Sequence, residues 1–132
     1  MKKTILFIYL LFALGCSKNT DKEQEFDIIG KWQLIETFTS TGGSQPLWVE
    51  ITDGYIYDFK IDETFTRNKS NSNCLDGTYT LNNDILTITT NCSSNGASSI
   101  SYKLIYEKGN IILKPSNTIC IEGCGDKFIK VK

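Results

Sequence analysis

From residue 29 to the C-terminus, short runs rich in Ile, Thr, Tyr, Phe and Val recur between residues suited to tight turns, and no stretch sustains helical periodicity. The pattern predicts strands near 29–38, 47–52, 55–61, 64–68, 77–81, 84–90, 100–107, 111–114 and 127–132. The separators are Asp53-Gly54, Asp62-Glu63, Asn82-Asn83 and Lys108-Gly109-Asn110. Gly, Asn and Asp tolerate the positive φ that tight hairpins require. Nearly every connection therefore reads as a hairpin between neighbours, an antiparallel up-and-down meander.

Each predicted strand has one apolar face. Trp32 and Leu34 share a face in the first, Tyr55, Tyr57, Phe59 and Ile61 in the third, and Leu86 and Ile88 in the sixth. Lys31, Gln33, Asp58, Lys60, Thr87 and Thr89 occupy the opposite faces. One apolar face per strand over eight or nine meandering strands is buried most simply by closing the sheet, which also removes its edges. The expected fold is all-β, a small barrel of 8–9 strands over residues 29–132. Trp32, Leu34, Tyr57, Phe59, Phe65, Tyr79, Leu86 and Tyr102 are its inward-facing candidates, to line a pocket or fill a core. Trp48, after Pro46, is expected exposed at the mouth as a contact residue or a lid.

The chain opens with Lys2-Lys3, a run from Thr4 to Leu14 dominated by apolar residues, then Gly15-Cys16. A basic start, a short apolar run and a small residue make a secretory signal, and the run is too short to span a bilayer as a helix. Ala13-Leu14-Gly15-Cys16 resembles the bacterial lipobox, although the commonest pattern has Leu where Ala13 stands. That resemblance implies a signal peptide over 1–15 and cleavage after Gly15. It also implies a diacylglyceryl thioether on Cys16 and acylation of the new amino group, palmitate being a typical chain. Several chains on one residue hold a protein firmly on a membrane. Ser17 to Glu25 contains no apolar residue, so 16–28 is expected to be a flexible tether. The localisation implied is the bacterial cell envelope, lipid-anchored, on a periplasmic or surface-exposed face of the outer membrane.

Without the leader, 117 of the 132 residues remain, enough for one domain. The 14 basic residues become 12 against 15 acidic, a net charge of −3, which argues against a nucleic-acid partner. The chain has no His, the commonest general base and metal ligand. Asp58, Asp62, Glu63 and Asp76 sit at turns or outward positions, where solvated charge is the ordinary explanation, and no catalytic residues are assigned. Asp53, Asp58, Asp62 and Glu63 match no calcium loop, so neither metal nor cofactor is expected. Cys74, Cys92, Cys120 and Cys124 make an even set in an exported domain and read as two disulfides. The alternative is a zinc site of four thiolates, for which the short Cys-x2-Cys spacing is missing. Cys74 and Cys92 lie symmetrically about Asn83, and Cys120 and Cys124 bracket three residues, so the local pairing demands least of the fold. Strand parity speaks against it, because inward Tyr79 and Leu86 put Cys74 and Cys92 on opposite faces unless a bulge intervenes. A link from Cys74 or Cys92 to the C-terminal pair is the rival.

Gly30-Lys31-Trp32, opening the first strand behind an exposed leader, resembles the first signature of the lipocalins and the wider calycin group. The resemblance spans about residues 29–132. It implies that Trp32 closes one end of the barrel beneath a cation from the last strand, here Lys127, Lys130 or Lys132. The later family signatures are absent; the segment 91–99 holds no Thr-Asp-Tyr. The implied function is a membrane-anchored lipocalin-like lipoprotein, not an enzyme, binding a small apolar or amphipathic ligand. The alternative is a non-enzymatic interaction module, a packed barrel whose loops contact a protein or glycan. An internal void above about 300 Å³ separates the two.

Overall fold

The computed structural model describes residues 26–40, 45–92, 96–116 and 123–132. They form nine strands: β1 (Gly30–Thr39), β2 (Leu47–Glu50), β3 (Ile56–Phe59), β4 (Thr64–Arg67), β5 (Asp76–Asn82), β6 (Ile85–Cys92), β7 (Gly96–Glu107), β8 (Asn110–Pro115) and β9 (Gly125–Val131). All pairings are antiparallel, and β1 pairs with β9, so the sheet closes on itself. The barrel wall is the eight-strand ring β1, β3 to β9, with β2 added beside the far half of β1. Along the strands, polar Thr78, Thr80, Thr87 and Thr89 stand outward of buried Tyr79, Leu86 and Ile88, the alternation of a barrel whose apolar side is its interior.

The connections match the expected hairpins at three places. Asn83, at φ 54°, turns β5 into β6 with Asn82 paired to Ile85, one residue later than the expected Asn82-Asn83. Lys108 and Gly109 both have positive φ in the two-residue turn between β7 and β8. Between β3 and β4, Asp62 accepts bonds from the amide (3.1 Å) and hydroxyl (2.6 Å) of Thr64.

Asp53-Gly54 is a correction. It does not reverse the chain: β2 pairs with residues 36–39 of β1 and β3 with residues 30–33 of the same strand, both antiparallel to it. The two strands are successive halves of one path, broken where the amide of Leu34 bonds the carbonyl of Tyr55 (3.0 Å) and that of Ile51 bonds the carbonyl of Ile35 (2.8 Å). Gly54 lies so close to β1 that a Cβ on it would sit 2.0 Å from the Leu34 carbonyl oxygen. β1 adapts with a bulge between Leu34 and Glu36. Ile61, expected inward with Tyr55, Tyr57 and Phe59, is 85% exposed, because β3 ends at Phe59 and Ile61 belongs to the turn.

Seven of the eight inward candidates are buried: Trp32, Leu34, Tyr57, Phe59, Phe65, Tyr79 and Leu86. Tyr102 is half-buried against the same core, which Ile28, Ile88, Leu104, Ile111, Leu113 and Phe128 complete. The tether also ends earlier than expected. Ile28 is buried, and Phe26 packs against Trp32 (ring centroids 6.0 Å) and Tyr106 (4.6 Å). Two large apolar side chains so close to the start of β1 are better covered than left in water.

Candidate functional site

The two ends of the barrel are built differently. At the end where β1 begins, Trp32 donates its indole N–H to the carbonyl of Ile28 (2.7 Å) and lies under the ammonium of Lys130, 5.3 Å from the ring centroid. Of the three lysines that the sequence offered, Lys130 is the one over Trp32, and Lys127 lies 4.5 Å from the ring of Trp48 instead. Above Trp32 the interior is solid with rings. Tyr57 meets Phe59 at 5.2 Å, Phe65 at 5.6 Å and Phe128 at 5.7 Å, and Phe59 meets Tyr79 at 4.9 Å. A surface cleft of about 580 Å³ at this end runs between residues 26–29 and Tyr79, Leu81 and Asn82, where the leader crosses the barrel end.

The other end, where β1, β4, β6 and β8 finish, is open among the described residues. Ile100 stands across from buried Ile88 on the inward face of β7, yet it is 40% exposed. Val49 and Leu47, across from Thr37 and Thr39, are 39% and 54% exposed, and Leu75 at the entrance to β5 is 44% exposed. Side chains that point into a barrel and still meet water mark an interior that is accessible from that end. Beneath them lie polar groups. The Thr37 hydroxyl donates to the Asp126 carboxylate (2.8 Å), and Tyr55 packs edge-on to Tyr57 at 5.3 Å. Arg67 closes β4 with its guanidinium 3.4 Å from the Tyr57 hydroxyl. The hydroxyl of Tyr102 is pushed up to about 12, chiefly by burial and then by Tyr57 and Asp126, with Arg67 opposing. Tyr55 is raised further by the same burial and its neighbours Tyr57 and Asp126. Both hydroxyls therefore keep their protons at neutral pH and can donate. A cleft of about 270 Å³ opens beside Tyr55 between the β2–β3 break and residues 68–70. The arrangement is a shallow cup: an apolar rim, a floor of hydroxyls with one cation and one carboxylate, and packed aromatics below.

Trp48 does not line this cup. It stands across from Phe38 on the outer side, with ring centroids 5.1 Å apart, and the Lys127 ammonium over it also pairs with Glu36. The expectation of an exposed lid is corrected: this ring fastens β2 to the barrel wall.

The Cys74–Cys92 disulfide is formed, which overturns both the four-thiolate zinc site and the cross-links from Cys74 or Cys92 to the C-terminal pair. The parity objection fails because Cys74 precedes β5, in a non-strand segment where alternation does not apply. Cys124 is also disulfide-bonded, while Cys16 and Cys120 lie outside the described residues. Asp62 is held below the usual carboxylate range by its bonds from Thr64, the role of a turn cap.

Sequence reasoning missed Arg67, Asp126 and Ile100 as cup residues. The signal was available in the alternation: Arg67 is two residues beyond inward Phe65, and Asp126 two before inward Phe128.

A family model described as a lipocalin-like domain matches residues 28–117, from the buried Ile28 through β8. No curated protein matches the chain.

Proposed function

The chain belongs to the lipocalin-like domain family, and on that premise we propose that it is a membrane-anchored binding protein, not an enzyme, which takes a small amphipathic molecule into the open end of its barrel. The observation that carries this reading is the exposure of inward-facing Ile100 and Val49 above a floor of hydroxyls. Apolar walls with a few fixed polar groups are the usual make-up of a small-molecule site. The aromatic packing around Tyr57 and Phe59 limits a ligand to the upper half of the barrel. The same packing supports a second reading, in which the exposed rim contacts a partner protein or glycan.

Native mass spectrometry of the protein purified from its host distinguishes them. The expected result is a non-covalent amphiphile that leaves on collisional activation and is absent from Ile100→Asp. A bare protein whose rim variants lose a protein or glycan partner favours the second reading.

The proposed anchor is a lipid on Cys16. Cys16→Ser is expected to abolish labelling by a fatty-acid analogue and to release the protein from the membrane fraction with its fold unchanged. The polar run Ser17 to Glu25 separates that residue from the packed domain. Membrane association that persists in the unlabelled variant would refute the lipoprotein reading.

A further inference from the structure

We propose that the cup selects a single-chain amphiphile with an anionic head, a carboxylate or a phosphate, and that the guanidinium of Arg67 holds that head. The inference rests on the reading of the cup as a ligand site. Arg67 is the only arginine in the chain. It follows inward Phe65 by two residues and stands across from inward Tyr57, so its side chain enters the barrel and not the solvent outside. A guanidinium has five N–H donors in a rigid plane. Here Nε donates to the carbonyl of Cys74 (2.6 Å), one terminal nitrogen to the Tyr57 hydroxyl (3.4 Å) and the other to the Ser72 hydroxyl (3.4 Å). One N–H on each terminal nitrogen is left for a further acceptor, and carboxylate and phosphate are the acceptors that a guanidinium binds most strongly.

All three partners are neutral. The ion pairs among the described residues are Lys103–Asp84 and Lys127–Glu36, so no carboxylate there answers the Arg67 charge. A half-buried cation held only by neutral acceptors is a site that gains from an anion. Lys69, with its ammonium 5.3 Å from the Tyr55 ring centroid, adds positive charge on the same side of the cup. Asp126 lies on β9, three strands away around the wall, and disfavours an anion near it. The head is thereby directed to the β3–β4 wall beside the Tyr57 hydroxyl, and the chain extends over Ile100, Val49 and Leu47.

The test uses the full chain in phosphatidylcholine nanodiscs and three photoreactive probes with the same long alkyl chain, ending in a carboxylate, a phosphate or a neutral hydroxyl. Labelled cup peptides are mapped by mass spectrometry. At least one anionic probe is expected to label the cup about tenfold more efficiently than the alcohol, the scale of one charge-assisted contact. Whichever anion labels better identifies the source of the head. Arg67→Gln should bring the ratio of anionic to alcohol labelling down to about one, and Arg67→Lys should keep part of that ratio. Equal labelling by the alcohol, or a preference that survives Arg67→Gln, overturns the assignment to Arg67 and leaves the cup standing. No cup labelling by any probe overturns the cup itself. If Arg67→Gln does not fold, Arg67→Lys takes its place, and an anion preference undiminished in that variant overturns the assignment to Arg67.

Discussion

Trp32→Ala is expected to cost about 3–5 kcal/mol of stability, the usual range for emptying an aromatic site in a packed core. The side chain is 1% exposed and is in contact with more than its own strand. It donates to the carbonyl of Ile28, supports the ring of Phe26 and carries Lys130 above it. Truncation opens a cavity at the base of the barrel, leaves the Ile28 carbonyl without its indole donor and loosens the leader that covers that end. Each loss acts in the same direction, and an unmet buried carbonyl alone costs on the order of 1 kcal/mol. Trp48→Ala is the internal control. That ring is only partly buried, against Phe38 and under Lys127, so its removal should cost roughly half as much or less. The chain has two tryptophans, so each variant keeps one indole as a fluorescence reporter for its own urea titration. Equal losses in the two titrations would show that Trp32 is not the base of the barrel.

Much of the wall was legible because strand alternation and turn chemistry are local. Asn83 and Gly109 announce their hairpins by the φ that they tolerate, and buried Tyr79, Leu86 and Ile88 announce their face by spacing alone. The break at Asp53-Gly54 was not legible, since the same dipeptide serves a reversal and an interruption. What distinguishes them is the approach of Gly54 to the Leu34 carbonyl, a contact between strands distant in sequence. The bulge before Glu36 is hidden for the same reason. Trp48 was placed at the mouth from its neighbour Pro46, but its position is set by Phe38 and Lys127, neither of which a local pattern can bring to it. The cup lay between these cases. Alternation could have sent Arg67 and Asp126 inward, but a charge at an inward position looks like an error in the strand assignment until Tyr57, Ser72 and Thr37 are seen to receive it.

The last expectation joins the fold to the cup. Replacing Cys74 and Cys92 together by Ser should cost about 3 kcal/mol, the chain-entropy value for a closed loop of this length. The bridge spans a sequence separation of 18 and ties the segment before β5 to the end of β6. That segment is also the seat of Arg67: the carbonyl of Cys74 accepts from Nε, and Ser72 accepts from a terminal nitrogen while its hydroxyl holds the Cys74 amide (3.2 Å). With the bridge gone, this seat keeps the amide of Arg67 on the Leu75 carbonyl (2.7 Å), the β4–β5 pairing that follows it and the side-chain bonds just named, but loses its tie to β6. The double variant should therefore unfold at lower temperature and lose its preference for an anionic probe even where it is still fully folded. A thermal melt followed by circular dichroism measures the first effect, and photolabelling well below the new midpoint measures the second. A melt unchanged from wild type would show that the bridge contributes nothing to the fold. A lowered melt with the anion preference intact would show that Arg67 is held in place without it, and that the disulfide serves the barrel alone.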